Sequence, residues 1–190
     1  MDKIAWEKIA RQHVIYIEAF IFTHSSRFED FRLAKFQMDW NKDRISSRGG
    51  LYTVKGKRRP GINIAMKRAI PLAGPNRVYE YKSFDGREDI GGFFSTNSEH
   101  QLLLHLTHEM AHAWEHFEAS KYNIKRRQPH GKEFKAFYKI LREKFLNPLL
   151  PSHAEMRNIA EQIKQEERAA MTFEYTKIPM TTKFKKAASR

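Results

Sequence analysis

His108-Glu109-Met110-Ala111-His112 stands near the middle of a stretch, Glu99 to Ser120, that contains no glycine and no proline. Around it Leu103, Leu106, Met110, Ala113 and Phe117 recur at helical spacing. The stretch therefore reads as one amphipathic helix with that row as its buried stripe. Thr96 with Glu99, or Ser98 with Gln101, supplies a capping box at its start. On such a helix His108 and His112 share a face, with Cβ atoms about 5–6 Å apart. Two imidazoles so placed can reach one zinc ion at about 2.0–2.1 Å each. Glu109 flanks that ion without binding it, close enough to take a proton from a water there. The pattern puts both histidines off the buried stripe.

A catalytic site of this type needs a third protein ligand and one open position. Six of the nine histidines fall between His100 and His130, so candidates are plentiful. His116 fails against His108, because eight residues of helix separate them by about 12 Å. His105 fails against His112 in the same way, at about 10 Å. Both are expected to line the cleft or face solvent. A third histidine ten residues after the first is absent, since position 118 is Glu118, and Glu115 replaces the glycine that would bend the helix. The ligand must then come from the next element. His130, before a glycine that lets the backbone turn, is preferred over Glu133.

Working outward, Asp2 caps a first helix running to about Thr23, with Ile9, Ala10, Val14, Ile17 and Ile21 facing the core. Phe36, Met38 and Trp40 alternate with polar residues, the period of a strand. Arg48-Gly49-Gly50 reads as a turn before a strand at Leu51 to Val54. Lys55 to Gly61 reads as a basic hairpin loop before a strand at Ile62 to Ala65. Residues 70–95 form a long connection with a short strand at Val78 to Tyr81. A second helix after Gly131 carries Phe134, Phe137, Leu141 and Phe145 and stops at Asn147-Pro148. Ser152 and Glu155 cap a last charged helix to about Ala170, followed by a basic tail from Thr176 to Arg190.

The chain of 190 residues carries 35 Lys and Arg against 22 Asp and Glu, a formal charge of +13. That surplus favours a polyanionic partner, nucleic acid first. Lys55, Lys57, Arg58 and Arg59, then Lys125, Arg126 and Arg127, are the candidate phosphate contacts, with the tail from Lys177 behind them. Tyr52, Tyr122 and Phe184 are placed to stack on unpaired bases. There is no cysteine, which excludes disulfides, thiolate zinc fingers and a cysteine nucleophile. The apolar run from Val14 to Phe22 is interrupted by Glu18 and falls short of the ~20 residues of a membrane span. The first residues carry acids and no secretory pattern, so a cytoplasmic protein, nucleoid-associated or nuclear, is expected.

His108-Glu109-Met110-Ala111-His112-Ala113 followed by His130-Gly131-Lys132-Glu133-Phe134 resembles the SprT-like zinc metalloprotease family, which includes Spartan, the protease of DNA–protein crosslinks. Trp40, Gly49-Gly50 and Ile62-Asn63-Ile64 resemble the strands that precede the zinc helix in that family. The likeness covers residues 31–146. It implies an α+β, zincin-like domain: a small antiparallel or mixed sheet of about three strands, packed on the H-E-x-x-H helix and the helix after it. The N- and C-terminal helices read from caps and periodicity lie outside the likeness and flank that core. By the same likeness Zn2+ is the cofactor, His108, His112 and His130 are its ligands, Glu109 is the catalytic base, and the partners are a protein substrate and single-stranded or damaged DNA. The expected division is an N-terminal helix at 1–30, the protease domain at 31–150, and a charged helix with a basic tail at 151–190. The cysteine zinc ribbon of many relatives is missing, so DNA must be met by another surface. Tyr52, Tyr122, His105 and His116 are the candidates to stabilise an oxyanion. The rival readings are a non-proteolytic DNA-associated zinc protein, a regulatory protease cutting one DNA-binding partner, and a plain interaction module.

Overall fold

Asp2 begins the structure as it begins the pattern: its Oδ1 accepts the Ala5 N–H at 2.7 Å and caps α1, Lys3–His24. In this computed structural model the described residues are 2–25, 31–41, 46–70, 76–78, 93–95, 97–122 and 128–150, with positions 155, 158, 161, 162 and 165 beyond them. Ala10, Val14, Ile17 and Ile21 of α1 are buried, one side of the 3.6-residue period.

Three strands follow: β1, Lys35–Asp39, β2, Arg48–Val54, and β3, Lys57–Ala65. They form a mixed sheet in the order β1-β3-β2, with β1 parallel and β2 antiparallel to the central strand. The parallel pair is joined through β2, while β2 and β3 form a tight hairpin. The hairpin turn is only Lys55-Gly56, both with positive φ (49° and 73°), the backbone that matches the twist of the flanking strands. The basic loop expected over Lys55 to Gly61 is therefore mostly strand: Lys57, Arg58 and Arg59 are exposed residues of β3, and Pro60 and Gly61 are buried in it. Arg48-Gly49-Gly50 is likewise strand rather than turn.

A short helix α2, Met66–Ala69, leaves β3, and a second, two-stranded ribbon pairs β4, Asn76–Val78, with β5, Phe93–Ser95. The expected strand at Val78 to Tyr81 begins two residues earlier than read, because its bounds are set by pairing with β5. Positions 79–81 lie outside the described residues.

The long helix α3, Ser98–Lys121, is capped by Asn97, whose side chain accepts the Glu99 N–H at 2.8 Å. The cap is thus Asn97 and not Thr96 or Ser98 as read from the sequence, and Thr96 lies outside the described residues. Helix α4, Lys132–Leu141, starts at Gly131. The helical path then widens into a π turn, Arg142–Leu146, and tightens into a 3-10 turn, Asn147–Leu149. The expected stop at Asn147-Pro148 is instead the point where the π turn gives way to the 3-10 turn, which carries the path to Leu149.

Together these elements make an α+β fold, a small mixed sheet among four α-helices, with α3 as its axis. β2 and β3 pack on one side of α3, α4 and the π turn on another, and α1 on a third. Side-chain ties fix α1 to the rest: Trp40 donates to Glu7 at 2.9 Å, the Leu33 N–H to Glu18 at 3.0 Å, and His13 meets Glu99 at 2.7 Å. The core is Phe31, Ile62, Ile64, Leu102, Leu103, Leu106, Met110, Phe134, Tyr138 and Leu141, all nearly inaccessible.

The chain divides into two units, Met1–Leu150 and Pro151–Arg190. In the second, the five described positions are helical and exposed, and the basic tail lies outside the described residues. Among the described residues no helix is long and apolar enough to cross a membrane.

Candidate metal centre

His108 and His112 leave α3 one turn apart and point into the angle between α3 and α4. His130 joins them from the turn before α4. That turn, Gln128 to Gly131, is closed by the Gly131 N–H on the Gln128 carbonyl at 3.3 Å, with His130 near its apex. The three rings make an almost equilateral triangle: centroids are 5.0 Å apart for His108 and His112, 5.3 Å for His108 and His130, and 4.9 Å for His112 and His130. One ligand nitrogen from each lies within 4.8 Å of the others. The His112 and His130 Nε2 atoms are 3.1 Å apart. Donors about 2.05 Å from one tetrahedral ion sit ~3.3 Å from each other, so this pair is already near ligating separation.

Phe134, on the first turn of α4, forms the floor. Its ring lies flat against His112, at 4.1 Å and 27°, and within 5.0 Å of the other two imidazoles. Tyr138 closes the side behind His108 at 5.3 Å. His130 is exposed, and His108 and His112 are more enclosed, so the cluster is most open to solvent at His130. The donor set fits a divalent metal: three imidazoles, a dry floor and one open side. Among the described residues it is the one group of three or more such side chains that converges.

The helix that carries the site is not amphipathic in the way its sequence suggests. Glu109 is 6% exposed and His112 9%, so the motif is enclosed and not set off from the buried stripe. With strands, α1 and α4 all packed on α3, almost every face of it becomes interior. The cost falls on charge. Burial lifts the Glu109 carboxyl to about 7, against a smaller downward pull from the Gly49 N–H that it accepts. Burial likewise holds His108 down at about 3, helped by the neighbouring His112, His130 and His105. His105 is held at about 4, first by burial and then by Arg68. His108 is thus a neutral imidazole at ordinary pH, the form that binds metal.

The sign of the pH dependence follows. Between the unfolded value near 6.5 and the folded values, unfolded His105 and His108 carry protons that the folded chain refuses, so stability falls as pH falls. Glu109 acts the other way, because the fold favours its protonated form, but one carboxyl opposes two imidazoles. Metal-free protein is expected to lose on the order of 3 kcal/mol between pH 7 and pH 4, measured by urea denaturation across that range.

Gly49 is the residue the sequence reading missed. A Cβ there would collide with the Glu109 carbonyl oxygen, so β2 lies against α3 at the motif itself. The same approach brings the Gly49 N–H to the Glu109 carboxylate. A glycine inside a strand often marks such an approach, and Gly49-Gly50 carried that signal. Gly49→Ala is expected to cost about 3 kcal/mol through backbone displacement, read as a lower denaturation midpoint.

Of the other candidates, Glu133 is exposed on α4 and stands outside the cluster. His105 and His116 are half-buried. His116 packs where a Cβ on Gly50 would come within 3.4 Å of its ring, so it faces the sheet. Tyr122 is exposed at the end of α3. Tyr52 lies on the sheet, with the Lys35 Nζ 5.0 Å and the Arg48 guanidinium 5.9 Å from its ring. Lys55, Lys57, Arg58 and Arg59 are exposed along the β2–β3 hairpin, while Lys125, Arg126 and Arg127 lie outside the described residues. Comparison with protein-family models, curated proteins and solved structures finds no match to this chain.

Proposed function

We propose that this chain is a zinc-dependent endopeptidase of the SprT-like, zincin type, acting on proteins at or near DNA. One observation carries the reading: three imidazoles from two elements converge with an open side, and the buried Glu109 carboxyl is next to the first of them. A purely structural zinc site usually closes with four protein ligands and has no use for a base. Imidazole donors suit zinc among the common divalent ions.

His108, His112 and His130 would hold the metal. Zinc bound there would supply Lewis acidity and lower the pKa of a water to about 7. Glu109 would take a proton from the attacking water and return it to the leaving amine. A carboxyl lifted to about 7 is matched to both halves of the task at neutral pH. The Gly49 N–H steadies it in its ionised form, and Phe134 and Tyr138 keep water from the back of the imidazoles.

Nucleic acid as the setting rests on charge. From Ser46 to Ile70 there are seven Lys and Arg and no Asp or Glu. Affinity for single-stranded DNA is expected to fall steeply with salt. Replacing Lys57, Arg58 and Arg59 together by Ala is expected to flatten the log–log salt slope by about 2. A salt-independent affinity would remove nucleic acid from the reading.

The test of the whole is metal content of the purified chain, beside cleavage of an unfolded protein with and without single-stranded DNA. One zinc per chain and chelator-sensitive cleavage are expected. Protein free of bound metal, and inert after zinc is added, overturns the proposal.

A further inference from the structure

We propose that Glu115 is a positioning residue of the metal centre: its buried carboxylate takes the Nδ1–H of His112 and so commits Nε2 of that ring to the ion. The inference rests on the metal-centre reading above and adds to it a residue that neither the H-E-x-x-H spacing nor the third histidine points to.

A neutral imidazole carries its proton on one nitrogen, and only the other can bind a metal. The surroundings decide which. At His112 the two nitrogens face different groups. Nε2 points into the cluster, 3.1 Å from the His130 Nε2. Nδ1 points the other way, 3.7 Å from Glu115 Oε2. A carboxylate accepts and cannot donate, so it favours the tautomer with the proton on Nδ1. Nε2 is then left with its lone pair toward the metal. The distance exceeds a hydrogen bond by ~0.8 Å, which the rotatable bonds of a glutamate side chain can close.

Three features make this arrangement hold. Glu115 and His112 are three residues apart on the same helix, so their separation is set by helix geometry. Both are enclosed, the His112 side chain 11% and the Glu115 side chain 5% exposed, so bulk water competes little for the contact. Phe134 lies flat on the His112 ring at 4.1 Å, so exchanging the two nitrogens by a ring flip would have to break that stack. A carboxylate behind a ligating histidine also raises the basicity of the metal-binding nitrogen, and removing such a partner typically weakens metal binding about 10–100-fold.

The experiment measures zinc affinity of the full chain by competition with a chromophoric chelator, for the natural sequence, Glu115→Gln and Glu115→Ala. Urea denaturation of each metal-free form accompanies it, as does nitrogen NMR of His112 in the metal-free natural sequence. Glu115→Gln keeps the shape and removes the charge. Expected are an affinity loss of about 10–100-fold in both variants, a nearly unchanged denaturation midpoint for Glu115→Gln, and a proton on Nδ1 of His112. An affinity for Glu115→Gln within about twofold of the natural sequence overturns the inference, as does a His112 protonated on Nε2. The NMR arm needs no variant, so a variant that misfolds leaves the claim exposed to refutation. If the natural sequence takes up no zinc, the metal-centre reading and this inference fall together. If it binds zinc tightly and Glu115→Gln does too, this inference falls alone.

Discussion

Glu109→Gln is expected to retain zinc and to lose about 10³-fold in kcat for peptide hydrolysis. The argument is one of charge and not of shape. Gln has the volume of Glu, and its carbonyl oxygen can still accept the Gly49 N–H. Burial already drives the natural carboxyl toward its neutral form, with a pKa near 7, so a neutral amide costs the fold little. What the amide cannot do is take a proton. His108, His112 and His130 are untouched, so metal content is the control. Equal turnover in both forms would refute the proposed chemistry and leave a metal site without a base, the non-proteolytic reading. Loss of zinc along with turnover would mean that Glu109 is itself part of the metal's support.

His130→Ala is expected to lower zinc affinity by about 10³-fold and to abolish turnover, while the metal-free fold is unchanged. His130 is exposed on a turn, and its removal leaves no hole in the interior. His112 is different: 9% exposed and stacked on Phe134, it is part of the packing, so His112→Ala is expected to lose metal and stability together. The contrast separates ligation from packing. Metal content by mass spectrometry and urea midpoints of the metal-free forms decide it. A His130→Ala protein that binds zinc as before would make the site a two-histidine contact and end the three-ligand reading.

The elements that were legible are those whose signal is local. Asp2 before Ile4, and the Ala10, Val14, Ile17, Ile21 series, gave α1 its start and its inner face. Alternation at Phe36 and Met38 gave β1. The four-residue spacing of His108 and His112 placed two imidazoles together, because helix geometry alone fixes that distance. The two misreadings have separate causes. Gly49-Gly50 looked like a turn and is strand, because the glycine serves the contact of β2 with α3 and not a change of direction. Lys55 to Gly61 looked like a loop, because nothing in a lysine announces the positive φ that lets Lys55-Gly56 turn in two residues.

The sequence by itself determined the helix that carries the motif, the pair of histidines upon it, the acid between them, and a surplus of positive charge. All follow from composition and from periods of a few residues. Only the tertiary structure decided that the motif is enclosed, that His130 and not Glu133 completes the triangle, and that Glu115 stands behind His112. Those outcomes depend on where α4, the sheet and α1 dock against α3. Docking sums many weak apolar contacts between residues far apart in the chain, and no local spacing encodes that sum.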